Sequence, residues 1–335
     1  MPRTVLTLLA AVAVALGLSA CGGDDDGDAL VVYSGRNQDL VGELLSRYQD
    51  DTGAKLEIRY GDSSDLAATL LEEGENTPAD LFLSQDAGAL GALEAEGRLA
   101  PLPQPVLAKV EERFRSEQGR WVGLTGRARV IAYDKRELKP GELPQSVFGV
   151  PTPEWKGRVG WAPTNPSFES FVTAMRKLHG EERARAWLES MVGNDTKAYP
   201  NNIAVRDAIA NGEIDIGLIN HYYVAEAVAA EGDDYPVGVF FPPNRDVGSL
   251  VNVSGAAILQ GTERADDARK LVEYLLSKTG QEYFAKVTKE YPLASGVRPD
   301  PALEPFDQIR SPQLDLADLA GLQETVKLIQ ESGAL

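Results

Sequence analysis

The sequence predicts an α/β protein of two lobes joined by crossing strands, and three observations lead there. From residue 30 onward short apolar runs alternate with helical patterns, the signature of a sheet faced by helices. The rhythm then repeats in the middle of the chain with different punctuation. Two long apolar extended segments, 129–133 and 250–259, are suited to cross between the halves. The expected lobes are therefore discontinuous, 29–129 plus 251–295 and 130–250 plus 296–335, with a ligand cleft between them.

Element by element, the run Leu30-Val31-Val32-Tyr33-Ser34 reads as a buried strand. Leu40, Val41, Leu44, Leu45 and Tyr48 then recur at helical spacing behind Asn37, a good N-cap. KLEIRY at 55–60 alternates like a strand. It runs into Gly61-Asp62-Ser63-Ser64 and the stripe Leu66, Leu70, Leu71. Residues 79–84 form a further strand, and a helix over 86–96 stops at Gly97. In the second half, 130–133 and the end of 155–161 are strands, and 168–178 and 181–192 are helices parted by Gly180. A short helix at 204–210 precedes a strand at 214–219, a helix at 221–231 and a strand at 237–241 that Pro242-Pro243 ends. An amphipathic helix at 265–276 and a closing helix at 316–331 complete the chain.

Composition narrows the function. The 335 residues carry 33 Lys plus Arg against 51 Asp plus Glu, a formal charge of −18. Phosphate-backbone binding needs a basic face, so nucleic acid is excluded as a partner, and no polybasic block supports membrane docking. One Cys and two His rule out zinc fingers, disulfide frameworks and His-rich metal sites. Neither G-x-S-x-G, G-x-x-x-x-G-K-[ST] nor G-x-G-x-x-G occurs.

The first 20 residues read as a signal peptide. Arg3 precedes an apolar run from Val5 to Leu18, shorter than the roughly 20 residues that span a bilayer. The run ends in Leu18-Ser19-Ala20-Cys21, which resembles the lipobox of bacterial lipoproteins; that resemblance implies lipidation at Cys21. Residues 21–28, Gly- and Asp-rich, read as a solvated tether. The expected location is exported and lipid-anchored to the outer face of the cytoplasmic membrane.

Candidate chemistry lies where strands turn into helices. Ile219-Asn220-His221-Tyr222-Tyr223 places two phenols side by side, and phenolates are hard oxygen donors suited to a small trivalent cation such as Fe(III). Two half-buried aromatics of ordinary packing remain the alternative. Arg36 follows the first strand, and Arg127 and Arg129 enter the expected hinge strand; each suits an anion or a plain ion pair.

Taken in order, several segments resemble the bacterial ferric-ion-binding proteins, the substrate-binding components of iron(III) ABC transporters. They are VVYSGR, TPADLF at 77–82, RARVIAYD at 127–134 and WKGRVG at 155–160. NGEIDIGLINHYY at 211–223, VNVSGAAIL at 251–259 and EYPLASGV at 290–297 continue the series. The resemblance implies a periplasmic-binding-protein fold, class II-like, that is not an enzyme. It implies an ABC permease as partner and a monomer that carries Fe(III) with a synergistic carbonate, phosphate or citrate. Tyr222 and Tyr223 match the family's phenolate ligands. Asn202 and Asn220 match anion-binding positions, and Arg36, Arg127 and Arg129 match arginines that hold or neutralise the anion–phenolate cluster.

The chain also departs from the family. One branch has His where this chain has Asn37 and Glu where it has Gln85. Another takes a third Tyr from the loop that here reads Thr164-Asn165-Pro166-Ser167-Phe168. Asn165 stays a cleft candidate, and Asp86 or Asp62 can supply a carboxylate unless each merely caps a helix. Two other functions stay open: the same fold binding an oxyanion such as phosphonate or phosphate without metal, and a secreted hydrolase.

Overall fold

A computed structural model describes residues 29–335. The signal-peptide reading of 1–20, Cys21 and the 21–28 tether lie outside the described residues. The chain runs β1 (Leu30–Ser34), α1 (Gln38–Thr52), β2 (Leu56–Tyr60), α2 (Ser63–Glu73), β3 (Leu81–Ser84), α3 (Ala87–Ala95) and α4 (Gln104–Leu107). There follow β4 (Val122–Asp134), β5 (Val159–Trp161), α5 (Pro166–His179), α6 (Glu181–Gly193), β6 (Lys197–Ala198), α7 (Asn202–Ala210) and β7 (Ile216–Asn220). The remainder is α8 (Tyr222–Glu231), β8 (Val237–Phe240), β9 (Val251–Ile258), α9 (Ala265–Leu275), α10 (Lys278–Lys286), β10 (Tyr291–Pro292) and α11 (Leu322–Glu331).

The strands lie in the order β2-β1-β3-β9-β4-β7-β5-β6, with β10 and β8 also paired to β4. β1 is parallel to β2 and β3, so helices must carry the chain across, and α1 and α2 do so with their apolar stripes inward. β4, buried along its whole length, serves two neighbourhoods. Its first part pairs antiparallel with β9, from Val122 opposite Ala256 to Ala128 opposite Val251. From Arg129 onward it pairs with β7, Arg129 opposite Asn220, and further along with β8. The handover between these partners falls at Ala128 and Arg129, so Arg127 and Arg129 sit at the seam.

Close approach needs glycine at two places. A Cβ on Gly35 would collide with Ser63, so glycine lets the loop after β1 lie against the start of α2. A Cβ on Gly217 would collide with Val205, so glycine lets α7 press onto β7. Elsewhere the core is large and ordinary. Trp161, Phe168, Phe171 and Trp187 form an aromatic cluster with centroids 5.4 to 6.4 Å apart. Edge-to-face pairs of this kind add about 0.5–1.5 kcal/mol each beyond their buried area.

The structure departs from the sequence expectation at several places. β4 begins at Val122 rather than near 129, because Gly123 and Gly126, which suggest a loop, instead admit the Phe114 carbonyl and the Phe306 ring beside the strand. The closing helix is broken: a 3-10 turn occupies Leu316–Ala320, and α11 starts only after Gly321. The break is held by Arg176, whose Nη1 donates to the Gly321 carbonyl at 3.2 Å. Finally α10, capped by Ser277, fills a stretch that no expectation covered.

Candidate functional site

Parallel strands release their chains at one end of the sheet, and the helices that follow begin there. Arg36 and Asn37 follow β1, Asp62 follows β2, Gln85 and Asp86 follow β3, and Asn165 follows β5. Asn202 follows β6, and Tyr222 and Tyr223 follow β7. Ligands of open α/β sheets bind at such carboxyl ends. A cleft of about 470 Å3 opens there, lined among others by Arg36, Asn37, Asp62, Gln85, Asn165 and Tyr223. Tyr222, Asp86, Arg127, Arg129, Asn202 and Asn220 are buried and are not among its lining residues.

The two phenols lie together, ring centroids 4.2 Å apart and 34° between planes. Tyr222 is fully buried. Burial, and then the neighbouring Tyr222, hold the Tyr223 phenol well above its ordinary range, while Arg127 and Arg36 pull the other way. Deprotonating such a pair needs a strong nearby cation. His221 positions them: its Nδ1 accepts the Ala128 N–H at 3.2 Å, and its ring stacks on Tyr291 at 4.8 Å. Burial pushes that imidazole down to about 4, so it stays neutral and ties α8 to β4.

Three buried guanidiniums surround the phenols in different states. Arg36 is forked onto Glu290, Nη1 donating to Oε1 at 3.1 Å and Nη2 to Oε2 at 2.6 Å. Arg129 donates to the Leu218 carbonyl at 2.8 Å and to Asn220 Oδ1 and Ser167 Oγ at 3.3 Å, with its guanidinium over Phe171. Those partners are neutral, and burial pulls Arg129 down to about 9. Arg127 is 1% exposed, and neither Nη1 nor Nη2 finds a hydrogen-bond partner; its Nε lies 3.8 Å from Glu290 Oε1.

Asn202, also 1% exposed, leaves both its Oδ1 and Nδ2 unpartnered, and Gln85 Nε2 is likewise buried without a partner. Buried polar atoms are rarely left in this state, so each of these groups keeps bonding capacity for a further partner. Other candidates are engaged. Asp86 caps α3, its Oδ1 accepting Gly88 N–H at 2.9 Å and Ala89 N–H at 3.2 Å. Asn37 caps α1 through Asp39 N–H, at the exposed rim, and Asn165 caps α5 through Ser167 N–H. Asp62 precedes α2 without a side-chain cap bond, and burial raises its carboxyl. Phe168, in place of a third phenol, belongs to the aromatic cluster.

Among the described residues no group of three or more His, Cys, Asp or Glu is arranged to hold a metal ion. Sequence reasoning missed Glu290, fully buried; the only signal was its place in the EYP segment. It also missed Glu169 and Glu226, whose carboxyls burial pushes up to about 8.

The family model for bacterial extracellular solute-binding proteins matches residues 76–310. The Fe(3+)-binding periplasmic protein of Serratia marcescens is 32% identical over 333 residues, 99% of this chain and 97% of that protein. Iron-bound HitA from Pseudomonas aeruginosa is 35% identical, and the match covers 91% of this chain and 99% of that one with a TM-score of 0.87. FutA of Trichodesmium, in complex with iron and citrate ligands, is 30% identical over 91% of this chain and 99% of its own, TM-score 0.76. These neighbours have the two-lobe periplasmic-binding fold, and this chain shares it. The protein belongs to the bacterial extracellular solute-binding family, among its ferric-ion-binding members.

Proposed function

We propose that this protein captures ferric iron together with an oxyanion or chelator and hands it to an ABC importer. The observation that carries this reading is the Tyr222–Tyr223 pair, buried beside three guanidiniums of which Arg127 has an unpartnered fork. Fe(III) prefers hard anionic oxygens, and two phenolates supply them. Arg36, Arg127 and Arg129 make the loss of the phenol protons less costly, since opposite charges nearby favour the ionised form. Two phenolates leave a trivalent ion with one positive charge and an incomplete shell. The remaining oxygens then come from carbonate, phosphate or citrate, held by Arg127 and Asn202, with Asn220 acting through Arg129. A neighbour described with iron and citrate ligands supports a chelator that arrives with the iron.

In this reading the protein is a carrier rather than an enzyme, and a monomer. Cys21 is lipidated after removal of residues 1–20, and 21–28 tether the protein to the outer face of the cytoplasmic membrane. Among the described residues no helix is long and apolar enough to cross a membrane. The lobes are 29–129 plus 251–295 and 130–250 plus 296–335; β4 crosses between them, and the chain re-enters the first lobe at the start of β9.

Ferric citrate added to the purified protein should produce a phenolate-to-iron charge-transfer band in the visible. Tyr222→Phe and Tyr223→Phe should each weaken the band and the affinity at least tenfold, with little change in stability because the rings remain. Binding unchanged in both variants sinks the iron reading. The free fork of Arg127 favours one rival, an oxyanion such as phosphate or phosphonate bound without metal. Thermal stabilisation by the anion alone, unaffected by an iron chelator, would select that rival.

A further inference from the structure

We infer that Glu290 sets the charge of the anion this site prefers, by holding Arg36 out of the anion's reach. The inference rests on the reading of the cleft as an oxyanion site, with or without iron. Glu290 is fully buried and saturated with donors. Its Oε1 accepts from Arg36 Nη1 at 3.1 Å and from Thr125 Oγ1 at 3.0 Å, and its Oε2 from Arg36 Nη2 at 2.6 Å and Thr288 Oγ1 at 2.9 Å. Thr125 is itself fixed by Ser254 at 2.6 Å. A carboxylate with this many bonds has no free edge for a ligand, so its role is toward the arginine.

Arg36 borders the cleft, yet its fork is turned onto Glu290 and only Nε is left unpartnered. The same carboxylate reaches Arg127 only at the longer distance of 3.8 Å, leaving both terminal nitrogens of that residue free. One buried carboxylate therefore divides two neighbouring guanidiniums into a structural one and an available one. It also offsets the positive charge of Arg36, which lines the same cleft as Tyr223. Removing the negative charge adds one cation to the site; removing Arg36 subtracts one. Inside a protein a single charge at this range shifts the balance between ligands of different valence by about tenfold or more.

The experiment compares wild type with Glu290→Gln, Arg36→Gln and the double variant, using bicarbonate and citrate as anions. Affinity is read twice, from the visible band with iron and from thermal shift with the metal-free protein. Glu290→Gln should move the citrate-to-bicarbonate affinity ratio toward citrate about tenfold, Arg36→Gln should move it the other way, and the double variant should restore it. A role that is only structural lowers both affinities together, and an unchanged ratio in the single variants overturns the inference. If Glu290→Gln does not fold, Arg36→Gln and the double variant still give a direction and its reversal. A wild type with no visible band condemns the iron reading alone, since the metal-free arm continues to test Glu290.

Discussion

Replacing Glu169 by Gln tests whether a buried carboxylic acid ties the stability of this fold to pH. Glu169 lies in the first turn of α5, is 6% exposed, and has an unpartnered Oε2. Burial first, and then Asp86, Asp62 and Asp65, push its carboxyl from 4.5 up to about 8, against a hydrogen bond from Ser64. All four of those groups lie at the starts of α2 and α3, so α5 presses an acid against an acidic rim. The sign follows from proton counts. Between pH 4.5 and 8 the folded chain holds a proton that the unfolded chain has lost, so stability falls as pH rises. Below that window both states are protonated and no penalty exists; above about 8 the penalty is complete. Each pH unit costs about 1.4 kcal/mol, which makes roughly 3 kcal/mol at pH 7. Gln keeps the shape and does not titrate. Thermal unfolding followed from pH 4.5 to 8.5 should show equal melting temperatures at the acid end and a gain of about 5 °C or more for Glu169→Gln at pH 7. Glu226, raised to a similar value, is present in both proteins and cancels in the difference. Parallel curves across the whole range would refute the reasoning.

Three further outcomes follow from other parts of the structure. Arg127→Ala leaves the phenols in place but removes the free fork. Its loss of ferric affinity should therefore vary with the anion supplied, and titrations giving one uniform loss would contradict an anion-holding role. Asp86→Ala deletes two bonds to the start of α3 and should cost about 1 kcal/mol of stability by urea unfolding. A large loss of ligand affinity without that cost would instead make Asp86 a ligand. Small-angle scattering should record compaction on adding ferric citrate, as lobes close about β4 and β9; an unchanged radius of gyration would mean a cleft closed beforehand.

Much of the fold was legible because the punctuation was local. Asn37, Gly97 and Gly180 mark helix ends by their own local chemistry, and α1, α3, α5 and α8 begin or end within two residues of where pattern placed them. The early start of β4 was not legible, because glycines that tolerate a neighbouring carbonyl or ring look in sequence like glycines that make a turn. The break before α11 was hidden for a similar reason. An apolar stripe runs through Leu316, Leu319 and Leu322, and only Arg176, some 145 residues distant, decides that Gly321 leaves the helix.

The candidate site divides along the same line. Residues that follow strands could be found by position, since the carboxyl ends of β1, β3 and β7 deliver Arg36, Gln85 and the tyrosine pair to one place. What each of them does there could not. Arg36 and Arg127 are the same residue type at equally plausible loops. Their difference comes from Glu290, which the chain brings back 254 residues after Arg36 to take one fork and leave the other. Spacing finds residues that share an element, whereas charge pairing across the seam depends on which strand lies beside which. Because β4 changes partners at Ala128 and Arg129, side chains only two residues apart answer to different neighbours: Arg127 to Glu290 and Asn252, Arg129 to Asn220. A site placed on that seam has cations from one strand in two environments, Arg129 held by neutral partners and Arg127 with its fork left open.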